Sequence, residues 1–147
     1  MYADEKDAGP VALTPIYLLI GCSLPLWLHP LQRYSSGQYL LLLSGVLAIG
    51  IGDTFASFIG KKFGRHHWNG SKKTIEGTVG CILGQFAFIG ILVYLDFIPS
   101  YLLFQSTTII SVIATSLVEA LTDQVDNIVL PLVMYILLSV GIRNHID

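Results

Sequence analysis

The chain carries little charge. Of its 147 residues only 12% are Asp, Glu, Lys or Arg, whereas 53% are hydrophobic. A soluble domain carries about 25% charged residues, so there is too little polar surface here to cover a globule in water. Mean hydropathy is +0.68, and the length is better read as a number of membrane spans than of domains. Basic excess is missing too. The net charge is −2, so the electrostatic footprint of a nucleic-acid binder is absent and no nucleic-acid partner is expected. Cysteine is scarce. Cys22 and Cys81 both lie in apolar runs, at a spacing that fits no metal or redox motif, and are expected as buried free thiols. The N-terminus, MYADEKDAGP, has no basic region, which argues against a cleaved signal peptide. Alternation of apolar and polar residues is lacking, which excludes barrel strands. There is no internal repeat, low-complexity tract or soluble domain.

What the chain does have is five apolar segments, at residues 11–29, 38–59, 78–95, 101–121 and 127–142. A helix needs about 20 apolar residues to cross the hydrocarbon core. The expected fold is therefore an all-α integral membrane protein of about five transmembrane helices. Residues 1–147 form a single multi-pass domain, with a basic, glycine-rich loop between the second and third helices. Pro15 and Pro25 predict a kinked first span, and Pro131 lies in the short last one. If the spans alternate, Lys6, Lys61, Lys62, Arg65, Lys72 and Lys73 share one side, and Arg33 and Arg143 the other. The excess places the basic loop in the cytoplasm. It also brings the acidic turn TDQVD to the same face. Asn69-Gly70-Ser71 is a glycosylation sequon that such a loop would leave unused.

Asp53 interrupts the second segment. A carboxylate within a span costs about 2.5–3.5 kcal/mol at the helix centre. Asp53 is either near enough to the end to stay hydrated or a carboxylate that handles a metal or proton inside the bundle. Asp53, Ala56, Gly60 and Gly64 are spaced 3, 4 and 4, one helical stripe that permits close approach of a helix or a ligand. Gly77, Gly80 and Gly84 form a second small stripe that could pack on the first. NGSKKTIEG offers Lys72, Lys73, the Thr74 hydroxyl and Glu76 beside a glycine turn. These are parts of a phosphate site and equally of a headgroup anchor. No Walker A loop occurs. His66 and His67 lack the partners zinc needs and read as loop histidines that touch phosphate or headgroups, with Trp68 an interfacial aromatic. Glu119, Asp123 and Asp126, at i, i+4 and i+7, would share a helical face. They are either a hydrated helix end or a site for a hard cation such as Mg²⁺ with substrate phosphates.

Taken together, GDTFASFIGKKFGRHHWNGSKKTIEG closely resembles the cytidine-nucleotide signature of dolichol kinases, D-x-x-A-x-x-x-G-x-x-x-G followed by K-K-T-x-E-G. Asp53, Ala56, Gly60, Gly64, Lys72, Lys73, Thr74, Glu76 and Gly77 match its fixed positions. EALTDQVDNIVLPL resembles the second block of that family through Glu119, Thr122, Gln124, Asp126 and Asn127; Asp123 is outside its pattern. The resemblance covers nearly the whole chain, which looks like the C-terminal part of such enzymes. It implies a membrane kinase of the endoplasmic reticulum that uses CTP to convert dolichol to dolichyl phosphate for protein glycosylation, with the nucleotide site facing the cytoplasm. CTP, the polyisoprenoid alcohol and membrane lipid are the implied partners, and Mg²⁺ or another divalent cation the implied cofactor. In this reading Lys72 and Lys73 hold the β- and γ-phosphates. Asp126 with Glu119 or Asp53 binds metal, and Glu76 is a second ligand or the base. Gly60, Gly64 and Gly70 let backbone approach the nucleotide. The alternatives are a phytol kinase-like or phosphatidate cytidylyltransferase-like enzyme, or a non-catalytic membrane fragment.

Overall fold

The computed structural model describes residues 14–29, 37–122 and 126–143. The expectations for Lys6, Arg33, Asp123, Gln124 and the N-terminal acidic stretch lie outside these residues, as do the side chains of Asp126 and Asn127. The described chain is all-α. Its elements are α1 (Thr14–Leu28), α2 (Gln38–Leu42), a π-helical segment (Val46–Asp53), α3 (Thr54–Phe63), α4 (Ile75–Tyr94), α5 (Tyr101–Phe104), α6 (Ser106–Leu121) and α7 (Asp126–Arg143). Leu40, Leu47, Ile89, Val112, Met134 and Leu138 form the centre of the apolar core.

Local chemistry moves several boundaries away from the hydropathy segments. Pro15 falls in the first turn of α1, where a missing N–H costs nothing; Pro25 and Pro131 lie within α1 and α7. The second segment runs on to Phe63 and contains the π segment. The helix expected from residue 78 starts at Ile75 because Thr74 caps it. Thr74 is extended, with φ −111° and ψ 150°, and its Oγ1 accepts the Gly77 N–H at 3.1 Å. The fourth segment is cut at Gln105, whose backbone is extended and whose side-chain amide donates to Gly141 O at 3.3 Å.

The bundle buries polar side chains beside its apolar core and leaves large apolar ones exposed. Ser44, Gln85, Thr108, Ser111, Thr115 and Ser116 are buried, whereas Leu19, Trp27, Tyr94 and Phe104 are 67%, 82%, 87% and 78% exposed. Several buried hydroxyls are satisfied within their own helix: Ser44 Oγ donates to Leu41 O, Ser111 Oγ to Thr107 O and Ser116 Oγ to Val112 O. Small and hydroxylated residues inside, with large alkyl and aromatic groups outside, is how helices pack in lipid. Among the described residues one helix, α4, is long and apolar enough to cross a membrane; α1, α6 and α7 supply shorter apolar stretches. Both thiols are free, Cys81 buried and Cys22 half-buried.

The second small-residue stripe packs on α3 and meets the first stripe at Gly77, while Gly80 and Gly84 receive the side chains of Ile59 and Phe55. A Cβ on Gly77 would lie 2.7 Å from Ala56 O, one on Gly80 2.6 Å from Ile59, and one on Gly84 2.6 Å from Phe55. The close crossing of α3 and α4 therefore depends on the missing side chains. Gly77→Ala should destabilise the fold by about 1–3 kcal/mol, because the obstacle is backbone. Gly90→Ala is the internal control, since a Cβ there meets nothing within 4 Å. The check is the midpoint of thermal aggregation in detergent; equal midpoints for the two variants would exclude close packing at Gly77.

Candidate active site

The basic loop is a pinned turn. Gly70 has φ +76°, a conformation that favours glycine, and turns the chain after Asn69. Trp68 N–H donates to Lys73 O, Ser71 N–H to Trp68 O, and Ile75 N–H to His66 O. His67 and Thr74 form an antiparallel bridge. The Trp68 indole N–H donates to Thr78 Oγ1 at 3.1 Å, which ties the turn to α4. Glu76 fastens the other side. Its Oε1 lies 2.6 Å from His66 Nδ1, and both its oxygens accept the His66 backbone N–H.

This turn closes over a cavity of about 370 Å³, within the ~300–1,000 Å³ range of small-molecule sites. Asp53, Ala56, Ser57, Gly60 and Lys61 form one wall along α3. His67, Lys72, Lys73 and Thr74 come from the turn, Gly77 and Thr78 from the start of α4, and Glu119 from α6. Three ammonium groups and two carboxylates thus face one space. Asp53 is half-buried and Lys72 exposed, while Glu119 is 4% exposed. Glu119 has its cation in Lys73, whose Nζ lies 3.0 Å from Glu119 Oε1 and donates to Thr122 O at 2.7 Å and to Glu119 O.

Of the residues singled out in the sequence, Asp53, Ala56, Gly60, Lys72, Lys73, Thr74, Gly77 and Glu119 come together here. Gly64, Gly70 and Glu76 do not line the cavity. Gly64 leaves the stripe because α3 ends at Phe63 and Gly64 is extended, with ψ 119°. Glu76 turns to His66 and borders a separate apolar groove with Ile59, Phe63, Ile75, Val79 and Leu83. Glu119 and Asp126 lie on different helices, since α6 ends at Leu121 and α7 starts at Asp126; Asp123 lies outside the described residues. Backbone donors at the start of α4 are partly taken: Ile75 N–H by His66 O and Gly77 N–H by Thr74 Oγ1. An anion here would meet lysine ammonium groups rather than a bare helix terminus. Among the described residues no three His, Cys, Asp or Glu side chains group as a metal site.

Ser57, Lys61 and Thr78 line the cavity without having been singled out for it, and His67, read as a loop histidine near phosphate or headgroups, lines it too. Two of them carried a signal. Asp53, Ser57 and Lys61 are spaced by four, so they follow one helical face as surely as Ala56 and Gly60 do. Thr78 is one turn after the Thr74 cap, and His67 is placed only by the bridge across the turn.

The fold and the cavity define an all-α protein, sorted as for lipid, with a charged pocket suited to an anionic ligand. Residues 5–140 match the cytidylyltransferase family, and the chain belongs to that family. It is 42% identical over 143 residues to dolichol kinases of Bos taurus and Homo sapiens, covering 94% of this chain and 27% of each relative. A dolichol kinase of Schizosaccharomyces pombe is 34% identical over 137 residues, 92% of this chain and 27% of that protein. The chain thus spans about a quarter of the length of these curated relatives. No solved structure matches significantly.

Proposed function

We propose that the chain is the nucleotide-binding part of a CTP-dependent polyisoprenoid alcohol kinase. The observation that carries this reading is the cavity in which the loop lysines and the carboxylates of two different helices meet. In the proposed reaction the terminal hydroxyl oxygen of dolichol bonds to the γ-phosphorus of CTP. The bond from that phosphorus to the β–γ bridging oxygen breaks, CDP leaves, and the alcohol proton passes to a cavity carboxylate. Such transfer needs chiefly positioning and charge neutralisation. Lys61 and Lys72 face the polyphosphate, and the small wall at Ala56, Gly60 and Gly77 leaves it room. Carboxylates are the donors a hard cation takes: Asp53 lines the cavity, and Asp126 opens α7 a few residues beyond Thr122. Asp53 and Asp126 would hold Mg²⁺, which would supply charge neutralisation at the phosphates, while Glu119 keeps its ion pair with Lys73. Glu76 holds the loop through His66 in this reading, so its part is indirect.

The protein is proposed to sit in the endoplasmic reticulum membrane as a multi-pass domain with the cavity toward the cytoplasm. The charge asymmetry of the loops supports this orientation. Asn69, exposed at the turn, should then remain unglycosylated in microsomes. A glycosidase-sensitive mass shift lost in Asn69→Gln would overturn the topology.

The test of function is transfer from labelled CTP to dolichol by membranes carrying this chain, beside a full-length relative. Phosphorylated dolichol with CDP release supports the kinase. Pyrophosphate release instead would favour nucleotidyl transfer, the reading to which the family's name points.

A further inference from the structure

The C-terminal end of α6 presents a set of backbone carbonyls with no partner in their own helix. Val118 O takes the Thr122 hydroxyl at 2.7 Å. Glu119 O and Thr122 O are both taken by the Lys73 ammonium, which also lies 3.0 Å from Glu119 Oε1. An ammonium has three donors, and α6 offers Lys73 three acceptors. The Lys73 side chain is 23% exposed and that of Glu119 6%. The backbone of Lys73 is fixed as well: its N–H donates to Ser71 Oγ at 3.1 Å and its carbonyl accepts the Trp68 N–H at 3.0 Å. Its neighbour Lys72 stands exposed on the wall of the same cavity.

We propose that the two adjacent lysines divide the work: Lys73 is a positioning residue that caps α6 and locks Glu119 onto the basic loop, and Lys72 is the lysine of the pair that meets the phosphates. Moving Lys73 to a ligand would break an ion pair at a buried carboxylate and withdraw a donor from two carbonyls, each a substantial cost. Among the described residues Lys72 has no such tie to α6. A cation at the last turn also suits the negative end of the helix.

This inference deepens the nucleotide-site reading, and its first test needs no nucleotide. Hydrogen exchange is measured by mass spectrometry on the full chain in nanodiscs without CTP. In Lys73→Met the amides of the last turn of α6 should exchange roughly ten- to a hundredfold faster. In Lys72→Met they should stay within about twofold of the parent. Lys73→Arg keeps charge and donors and should retain most of the protection. If Lys73→Met does not accumulate in membranes, Lys73→Gln, with a neutral donor on a shorter stem, reads the same comparison. Unchanged exchange at position 73, or equal acceleration at 72, overturns the cap. The second arm uses a full-length relative carrying the corresponding changes. Lys73→Met should lower kcat with KM for CTP within about threefold, and Lys72→Met should raise KM. Faster exchange with normal kcat would make Lys73 a stabilising cap only and overturn its positioning role. Faster exchange in Lys73→Met together with no CTP use by the parent would leave the cap standing and remove the functional reading.

Discussion

Asp53→Asn and Asp126→Asn, introduced at the corresponding positions of a full-length relative, should each remove most CTP-dependent transfer to dolichol, on the order of a hundredfold or more. Asn keeps the size of the side chain and loses its charge, so packing changes little. Asp53 is half-buried on the cavity wall at the end of the π segment, and Asp126 begins α7 just beyond the capped end of α6. If both carboxylates serve one metal–nucleotide complex, the double variant should lose little more than either single one, because groups that act as a unit are strongly non-additive. Raising Mg²⁺ should partly restore each single variant. Asp123→Asn should be milder, since Asp123 is outside the motif that the neighbouring residues match. The measurement is initial rate against Mg²⁺ concentration. Near-normal activity in Asp126→Asn would remove the metal reading and leave helix packing as the role of this region.

The stripe from Asp53 through Ala56 to Gly60 was legible in the sequence because a helix repeats every 3.6 residues, and the structure places all three on the cavity wall. That Gly77 meets this stripe was legible for a similar reason, two small positions allowing close approach, but that Gly80 and Gly84 would take Ile59 and Phe55 was not. Gly64 was not, because its place depends on where α3 stops, and the extended backbone at Gly64 is a tertiary outcome. Glu76 looked like a site carboxylate next to two lysines. Its direction was settled by His66, ten residues away in sequence and brought close by the Gly70 turn. The acidic run after residue 118 read as one helical face because periodicity carries no information about the end of α6 at Leu121, after which Thr122 is extended. Nor did hydropathy announce the π segment or the cut at Gln105, both of which sit in uniformly apolar surroundings.

Lys72→Met should raise KM for CTP about ten- to a hundredfold in the full-length relative, the loss of one charge-assisted contact of roughly 1.5–3 kcal/mol. Three ammonium groups line the cavity, but Lys73 is committed to α6 and Lys61 projects from the last turn of α3. Lys72 is the cation that the turn carries outward over the space where a polyphosphate would lie. Loop lysines in a membrane protein have a rival role as topology anchors at the headgroups, and the comparison must separate the two. Lys62 provides the control. It belongs to the same basic cluster, yet its ammonium lies over the rings of Phe58 and Phe63, at 5.7 and 5.5 Å from their centroids. It does not line the cavity. Lys62→Met removes the same charge from the same membrane face, so an anchor role predicts equal effects at both positions. A phosphate role predicts a large KM change at Lys72 and less than about twofold at Lys62. Equal, small effects with unaltered topology would leave the lysines as anchors and take away the main electrostatic support for a nucleotide in the cavity.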